Sequence, residues 1–326
     1  MHDLMERGPR VLIVDDSADI RRLLTAMLET DPEITVVGTA SDAYIARKKI
    51  KELKPDVLTL DIEMPRMDGI TFLRNLMRLH PMPVVMIASL TSKRANATFE
   101  ALALGAVDFV NKPTINFSGN LESFCEEIIS KLKQAAGVRV RQLSDNRAST
   151  HWTEQQPVTG ATFDKISRRR KFATRDVILA IGASTGGTEA IREVLSSLPA
   201  SSPATIITQH IPAVFSKAFA ARLNSVCAMN VCEARNGQEV LPGHVYIAPG
   251  DRHLLVVRDG ARFRCQLSDG PPVNRHRPSV DVMFRSVAQN VGPNAVSVLL
   301  TGLGKDGAQG MLEMQQSGAY NIAQDE

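Results

Sequence analysis

Val11-Leu12-Ile13-Val14-Asp15-Asp16-Ser17, followed from Ala18 to Glu29 by apolar residues at Ile20, Leu23, Leu24, Met27 and Leu28, decides the fold of the N-terminal half. The first four residues form an unbroken apolar run without alternation, the mark of a strand buried on both faces. The stretch after it places its apolar residues three and four apart, the spacing of one helical face. The pattern then recurs. Strands are expected at Ile34–Gly38, Val57–Leu60, Val84–Ala88 and Asp108–Val110, and helices at Asp42–Leu53, Gly69–Leu79, Ala95–Leu104 and Leu121–Ala135. Five strands, each followed by a helix, imply a doubly wound parallel α/β sheet over residues 8–135. Ligands of such sheets lie beyond the carboxyl ends of the strands.

Periodicity disappears from about Gly137 to Thr174, a polar stretch holding the only tryptophan, Trp152, and the basic run Arg168-Arg169-Arg170-Lys171. Residues 136–175 read as a linker, and the basic run as a solvated charge cluster. A second α/β pattern begins at Val177: a strand to Ile181, a helix from Gly187 to Leu198, a strand over Ala204–Thr208 and a helix over Val214–Leu223. A β-rich insertion follows, with strands at Val231–Glu233, Gly243–Ala248, His253–Val257 and Phe263–Leu267. Helix returns over Ser279–Val291, strand over Ala295–Thr301 and helix over Gly307–Gln316, so residues 176–326 are expected to form a second doubly wound α/β domain.

Composition narrows the function classes. A net charge of +3 makes no electrostatic case for nucleic acid as a partner. The four cysteines (Cys125, Cys227, Cys232 and Cys265) lack paired metal spacing and point to a reducing, cytoplasmic setting. No window approaches the roughly 20 apolar residues of a membrane span, so no membrane insertion is expected.

Two constellations carry chemistry. Asp15 and Asp16 follow the first strand, Asp61 the third, and Lys112 the fifth, within Asn111-Lys112-Pro113. Three carboxylates gathered at adjacent strand ends repel one another unless they hold a hard cation such as Mg²⁺. An ammonium beside them can neutralise an incoming phosphoryl oxygen, so the set describes a carboxylate that accepts a phosphoryl group. The bland reading, acidic residues capping helices, fits one aspartate better than four matched strand-end residues.

The second constellation is Gly182-Ala183-Ser184-Thr185-Gly186-Gly187, a G-x-S-x-G spacing between strand and helix that would expose Ser184 at a helix N-terminus. A glycine-rich structural turn or a dinucleotide-binding turn gives the same pattern. The latter needs an acid at the end of the next strand, where Gln209-His210 stands. His210 instead supplies a base beside Ser184, and the loop Thr301-Gly302-Leu303-Gly304-Lys305-Asp306-Gly307 supplies Asp306 to orient it. His276 is the rival base, read as substrate-binding or structural. His244 and His253 read as ordinary strand-flanking histidines. An output domain that binds a partner or nucleic acid without catalysis would call for a helix with clustered Arg and Lys, and none is present.

The motifs resemble known families over nearly the whole chain outside the linker. Val-Asp-Asp-Ser at 14–17, Asp-Ile-Glu-Met-Pro-Arg-Met-Asp-Gly at 61–69 and Gly-Ala-Val-Asp-Phe-Val-Asn-Lys-Pro at 105–113 resemble the flavodoxin-like receiver domain of response regulators. The resemblance implies Asp61 as phosphoacceptor and Asp16, Asp61 and the Glu63 carbonyl as Mg²⁺ ligands, with Asp15 in support and Lys112 beside the phosphoryl group. Receivers place Ser or Thr at the end of the fourth strand. Ala88 stands there, with Ser89 next as its expected replacement. Ile-Gly-Ala-Ser-Thr-Gly-Gly at 181–187, Thr-Gln-His-Ile-Pro at 208–212, Pro-Gly-His-Val-Tyr-Ile-Ala-Pro-Gly at 242–250, Asp-Gly-Pro-Pro-Val-Asn-Arg-His-Arg-Pro-Ser-Val-Asp at 269–281 and Thr-Gly-Leu-Gly-Lys-Asp-Gly-Ala at 301–308 resemble the chemotaxis protein-glutamate methylesterases, the CheB family.

That resemblance implies Ser184 as nucleophile, His210 as base and Asp306 as orienting acid, with backbone N–H groups at Thr185 and Leu303 as oxyanion donors and no cofactor for the esterase. It implies methyl-accepting chemoreceptors as substrates, glutamine deamidation as a second activity, and a sensor histidine kinase as phosphodonor. It also implies that the unphosphorylated receiver covers the active site. Family members continue beyond Ile322-Ala323-Gln324-Asp325-Glu326, so the second domain is expected to be incomplete at its C-terminal end.

Overall fold

The polar turn after the first apolar run both ends the strand and starts the helix. β1 (Arg10–Val14) is buried from its second residue onward. Ser17 then caps α1 (Ala18–Leu28), its hydroxyl accepting from the Ile20 backbone N–H. The alternation continues through β2 (Thr35–Ala40), α2 (Ala43–Leu53), β3 (Val57–Asp61), α3 (Gly69–Leu79), β4 (Val84–Ala88), α4 (Ser92–Ala103), β5 (Asp108–Asn111) and α5 (Leu121–Gly137). Asp42 and Asp68 cap α2 and α3 with their carboxylates in the same manner. This computed structural model describes residues 8–88, 92–112, 121–138, 140, 177–302 and 304–325, without the side chains of residues 92–96 and Ser123. The chain divides into two units, Met1–Ser144 and Asp145–Glu326. Most of the expected linker, with Trp152 and the run at 168–171, lies outside the described residues, as does Ser89.

In the first unit five parallel strands lie in the order β2-β1-β3-β4-β5. β3 and β4 are buried at every position, which requires helices on both faces of the sheet. One layer packs Val11, Ile13, Val85 and Ile87 against Leu24 and Leu28 of α1 and Ile128 and Leu132 of α5. β2 reaches Ala40, two residues past the expected end. The register shifts between Val11 and Leu12, and pairing then continues to Val14 opposite Ala40.

The second unit holds β6 (Ile178–Ala183), α6 (Gly187–Ser196), β7 (Ala204–Gln209), α7 (Ala213–Val226), β8 (Asn230–Glu233), β9 (His244–Ile247), β10 (His253–Asp259), β11 (Arg262–Ser268), α8 (Val280–Asn290), β12 (Ala295–Leu299), α9 (Ala308–Gln316) and β13 (Tyr320–Ala323). Its parallel sheet runs β13-β12-β6-β7-β9-β8. The four strands of the β-rich middle divide between two sheets. β8 and β9 extend the main sheet, and β10 and β11 pair separately as an antiparallel hairpin. The difference lies in burial: Val245, Tyr246 and Ile247 of β9 are fully covered, whereas β11 leaves most of its residues partly exposed. No helix among the described residues is long and apolar enough to cross a membrane.

α8 lies against β10 and the sheet, and Phe284 at its centre is completely buried with Met283, Val287 and Met314. Phe284→Ala should therefore lower the stability of the second unit by about 3–5 kcal/mol, read from its urea unfolding midpoint. A loss below about 1 kcal/mol would contradict this packing.

Candidate functional site

The chain leaves β6 toward β7 on one side of the second sheet and later returns to β12 on the other, so the strand order reverses at β6. The carboxyl ends flanking such a reversal open a crevice, and Ser184 follows β6 directly at that point. Two glycines let neighbouring elements close on it. A Cβ at Gly182 would stand 2.2 Å from Val280 Cγ1, so glycine there admits the first turn of α8 against β6. A Cβ at Gly302 would stand 2.5 Å from Ser184 Cβ, so the loop after β12 can reach the serine only without a side chain there. Ser184 is not left-handed, and the positive φ of the turn falls on Gly186, at 74°.

The structure brings the three predicted side chains together. His210 Nδ1 lies 3.0 Å from Ser184 Oγ, and His210 Nε2 lies 2.7 Å from Asp306 Oδ2. An ionised carboxylate only accepts, so Nε2 carries the proton and Nδ1 presents its lone pair to the serine. This reverses the usual ring orientation of serine proteases while keeping the same roles. Gln209 steadies the turn, its Nε2 donating to the Ser184 carbonyl at 2.8 Å and to that of His210 at 3.2 Å.

Asp306 is the most elaborately held group of the site. Its Oδ1 accepts from Ser279 Oγ at 2.6 Å, Asn274 Nδ2 at 3.0 Å and the Asp281 N–H at 3.2 Å. Its Oδ2 accepts from the Val280 N–H at 2.7 Å as well as from His210. The carboxylate thus sits at the N-terminus of α8, where free N–H groups and the helix dipole favour an anion. Burial raises its pKa, but the hydrogen bonds from His210, Ser279, Asn274 and Val280 outweigh that and hold it well below the usual carboxylate range. Asp281 completes the anchoring by accepting from the N–H groups of Gly307 and Gly310, at 3.0 and 2.6 Å.

Asn274, Ser279, Asp281 and Gln209 escaped assignment in the sequence reading. A serine just before the apolar period of α8 signals an N-cap, and that cap position is the one usable clue. Thr185 is buried at the start of the turn into α6, while Leu303 lies outside the described residues. His276 reaches the triad through its ring rather than as a second base beside Ser184, whose hydroxyl faces His210. The ring stacks on His210, with centroids 3.6 Å apart and planes 10° from parallel. His253 is buried and structural: its Nδ1 accepts from the Ser279 N–H at 3.1 Å.

The first unit gathers its own cluster. Asp15, Asp16 and Asp61 each offer an oxygen within 4.8 Å of the others. Lys112 Nζ lies 2.6 Å from Asp61 Oδ2 and 2.9 Å from Asp15 Oδ2. Burial pushes the Asp61 carboxyl up to about 6, opposed by Lys112 and reinforced by the Asp15 charge. The buried Asp15 Oδ2 faces the Lys112 ammonium at 2.9 Å. An oxygen-only cluster with one exposed edge at Asp16 fits a divalent ion such as Mg²⁺. Glu63, two residues past Asp61, directs its backbone N–H at that carboxylate. At the end of β4 the Ala88 carbonyl accepts from the Lys112 N–H at 2.7 Å.

Residues 179–326 match the CheB methylesterase family, and residues 11–117 match the response regulator receiver domain. The chain is 56% identical over 324 residues to "protein-glutamate methylesterase/protein-glutamine glutaminase 1" of Xanthomonas campestris pv. campestris, covering 99% of this chain and 88% of that protein. It is likewise 56% identical over 339 residues to "protein-glutamate methylesterase/protein-glutamine glutaminase" of Hydrogenovibrio crunogenus, covering 97% of this chain and 89% of that protein. Among solved structures, the catalytic domain of Thermotoga maritima CheB methylesterase matches at 36% identity over 46% of this chain and 80% of that one, with a TM-score of 0.45. With a receiver at its N-terminus, a methylesterase domain at its C-terminus and this identity over almost its full length, the chain belongs to the CheB family of protein-glutamate methylesterases.

Proposed function

We propose that the chain hydrolyses methyl esters on glutamate side chains of methyl-accepting chemoreceptors and deamidates receptor glutamines, under control of phosphorylation at Asp61. The observation supporting the chemistry is the hydrogen-bonded chain from Ser184 through His210 to Asp306. Ser184 Oγ attacks the γ-carbonyl as His210 Nδ1 takes its proton. The imidazolium so formed keeps its Nε2–H on Asp306, whose other acceptor sites are filled, so the carboxylate stays an anion and does not remove that proton. His210 returns the Nδ1 proton to the leaving group, giving methanol from the ester or ammonia from the amide. Water, deprotonated by the same nitrogen, then releases the glutamate product. The backbone N–H groups near Thr185, ahead of α6, are suited to the charge on the tetrahedral oxygen.

In the receiver, Asp16, Asp61 and the Glu63 carbonyl would hold Mg²⁺, supported by Asp15. The ion would supply charge neutralisation for phosphoryl transfer from a sensor histidine kinase. Asp61 is the acceptor, and Lys112 is placed to meet a phosphoryl oxygen. The enzyme works in the cytoplasm, without nucleic acid as partner and with no cofactor for the esterase step.

Two measurements test the reading. Ser184→Ala should abolish methanol release from methylated receptor membranes. Asp306→Asn, which favours the wrong tautomer of His210, should lower kcat by about 10³–10⁴-fold. Activity retained by Ser184→Ala would refute the assignment. For the receiver, Mg²⁺ at ten times its Kd should stabilise the N-terminal unit by about 1.4 kcal/mol in thermal unfolding. Asp61→Asn should lose that stabilisation, together with any activation by a small phosphodonor. An equal Mg²⁺ response in both proteins would exclude Asp61 as a ligand.

A further inference from the structure

The loop between β11 and α8 touches both the base and the acid of the triad. Val273 and His276 exchange two backbone hydrogen bonds, at 3.0 and 2.9 Å, around Asn274 and Arg275. Both central residues are left-handed, with φ of 52° and 67°. That is a two-residue hairpin of the I′ type. Asn tolerates this backbone region, but Arg does not favour it, so the tip must be held by its surroundings. What secures the tip is the Asn274 side chain, which donates to Asp281 Oδ2 at 2.6 Å and to Asp306 Oδ1 at 3.0 Å. The position after the tip carries His276, and the same hairpin lays that ring flat on His210 at 3.6 Å.

We propose that His276 is a positioning residue for the triad: its ring, carried on the Val273–His276 hairpin, covers one face of His210 and holds the imidazole in the plane joining Ser184 to Asp306. The inference rests on the triad assignment above. Both nitrogens of His210 make their contacts at the ring edge, which leaves tilting about the long axis of the ring unopposed by those bonds. A flat ring stacked at 3.6 Å opposes it directly. It also presents a π face to the cation formed on His210 during attack. The hairpin couples this to the acid, because any shift of its tip disturbs the Asn274 bond to Asp306 and the stack together. His276 takes no proton from Ser184 in this role, since the hydroxyl faces His210.

The test compares kcat and KM for methanol release from methylated receptor membranes, using the full chain with His276→Ala, His276→Phe and Ser184→Ala. His276→Ala should lower kcat by about 10–100-fold with KM unchanged within about 2-fold, the behaviour of a misoriented catalytic group. His276→Phe keeps a flat ring without ionisable nitrogens and should recover kcat to within about 3-fold of wild type. If His276→Ala fails to fold, His276→Leu, which has bulk without planarity, replaces it with the same expected loss. Unchanged kcat in the variant without a ring would overturn the proposal. So would a loss confined to KM, which indicates substrate contact, or a Phe variant as impaired as the Ala variant, which indicates that the imidazole itself transfers protons. Activity surviving in Ser184→Ala would instead bring down the triad reading beneath it.

Discussion

The buried anion of Asp306 at the first turn of α8 is the constraint on which the catalytic rim depends. An ionised carboxylate taken out of water is strongly unfavourable unless its lone pairs are filled by donors. Here they are filled from the hairpin (Asn274), the helix cap (Ser279), the helix backbone (Val280 and Asp281) and the base (His210). Because those donors come from separate stretches of chain, satisfying one charge fixes their mutual positions. Asp281 then ties the loop carrying Asp306 to the same helix, through the N–H groups of Gly307 and Gly310. The serine is held more simply, by the fully buried central strand it follows and by the Gln209 amide on its carbonyl.

The receiver solves a related electrostatic problem differently. Asp15 and Asp61 are buried side by side with, among the described residues, the Lys112 ammonium between them, and burial leaves Asp61 with a raised pKa. In the second unit an excess of donors holds a carboxylate charged. In the first, two buried carboxylates share one ammonium, the arrangement from which cation binding and phosphoryl acceptance are proposed above. The two carboxyl groups are thus perturbed in opposite directions, Asp61 upward by burial and Asp306 downward by its donors.

Much of this architecture was legible in the residues themselves. Buried strands of β1, β3, β4, β6 and β7 read as short apolar runs, and strand-end residues in an α/β sheet converge whatever the loops do. That rule alone brings Asp15, Asp61 and Lys112 to one rim, and Ser184, His210 and Asp306 to another. How β8 to β11 divide between sheets is not legible, because short apolar strands look alike whether they join a main sheet or form a hairpin. Burial on two faces, as in β9, is a tertiary property. The contacts of Asn274 and the stacking of His276 were hidden for a related reason. Their contacts depend on two successive left-handed residues at a hairpin tip, and Asn274-Arg275 is not a pair whose chemistry announces that turn. The loop's polar character was readable, but its geometry was not.

The measurement that bears most directly on the central claim is the tautomer of His210, read from ¹⁵N chemical shifts of the labelled enzyme at a pH where the ring is uncharged. If Asp306 orients the base as described, Nε2 carries the hydrogen and Nδ1 is bare toward Ser184. A hydrogen on Nδ1, or shifts showing an equal mixture of the two forms, would contradict the account.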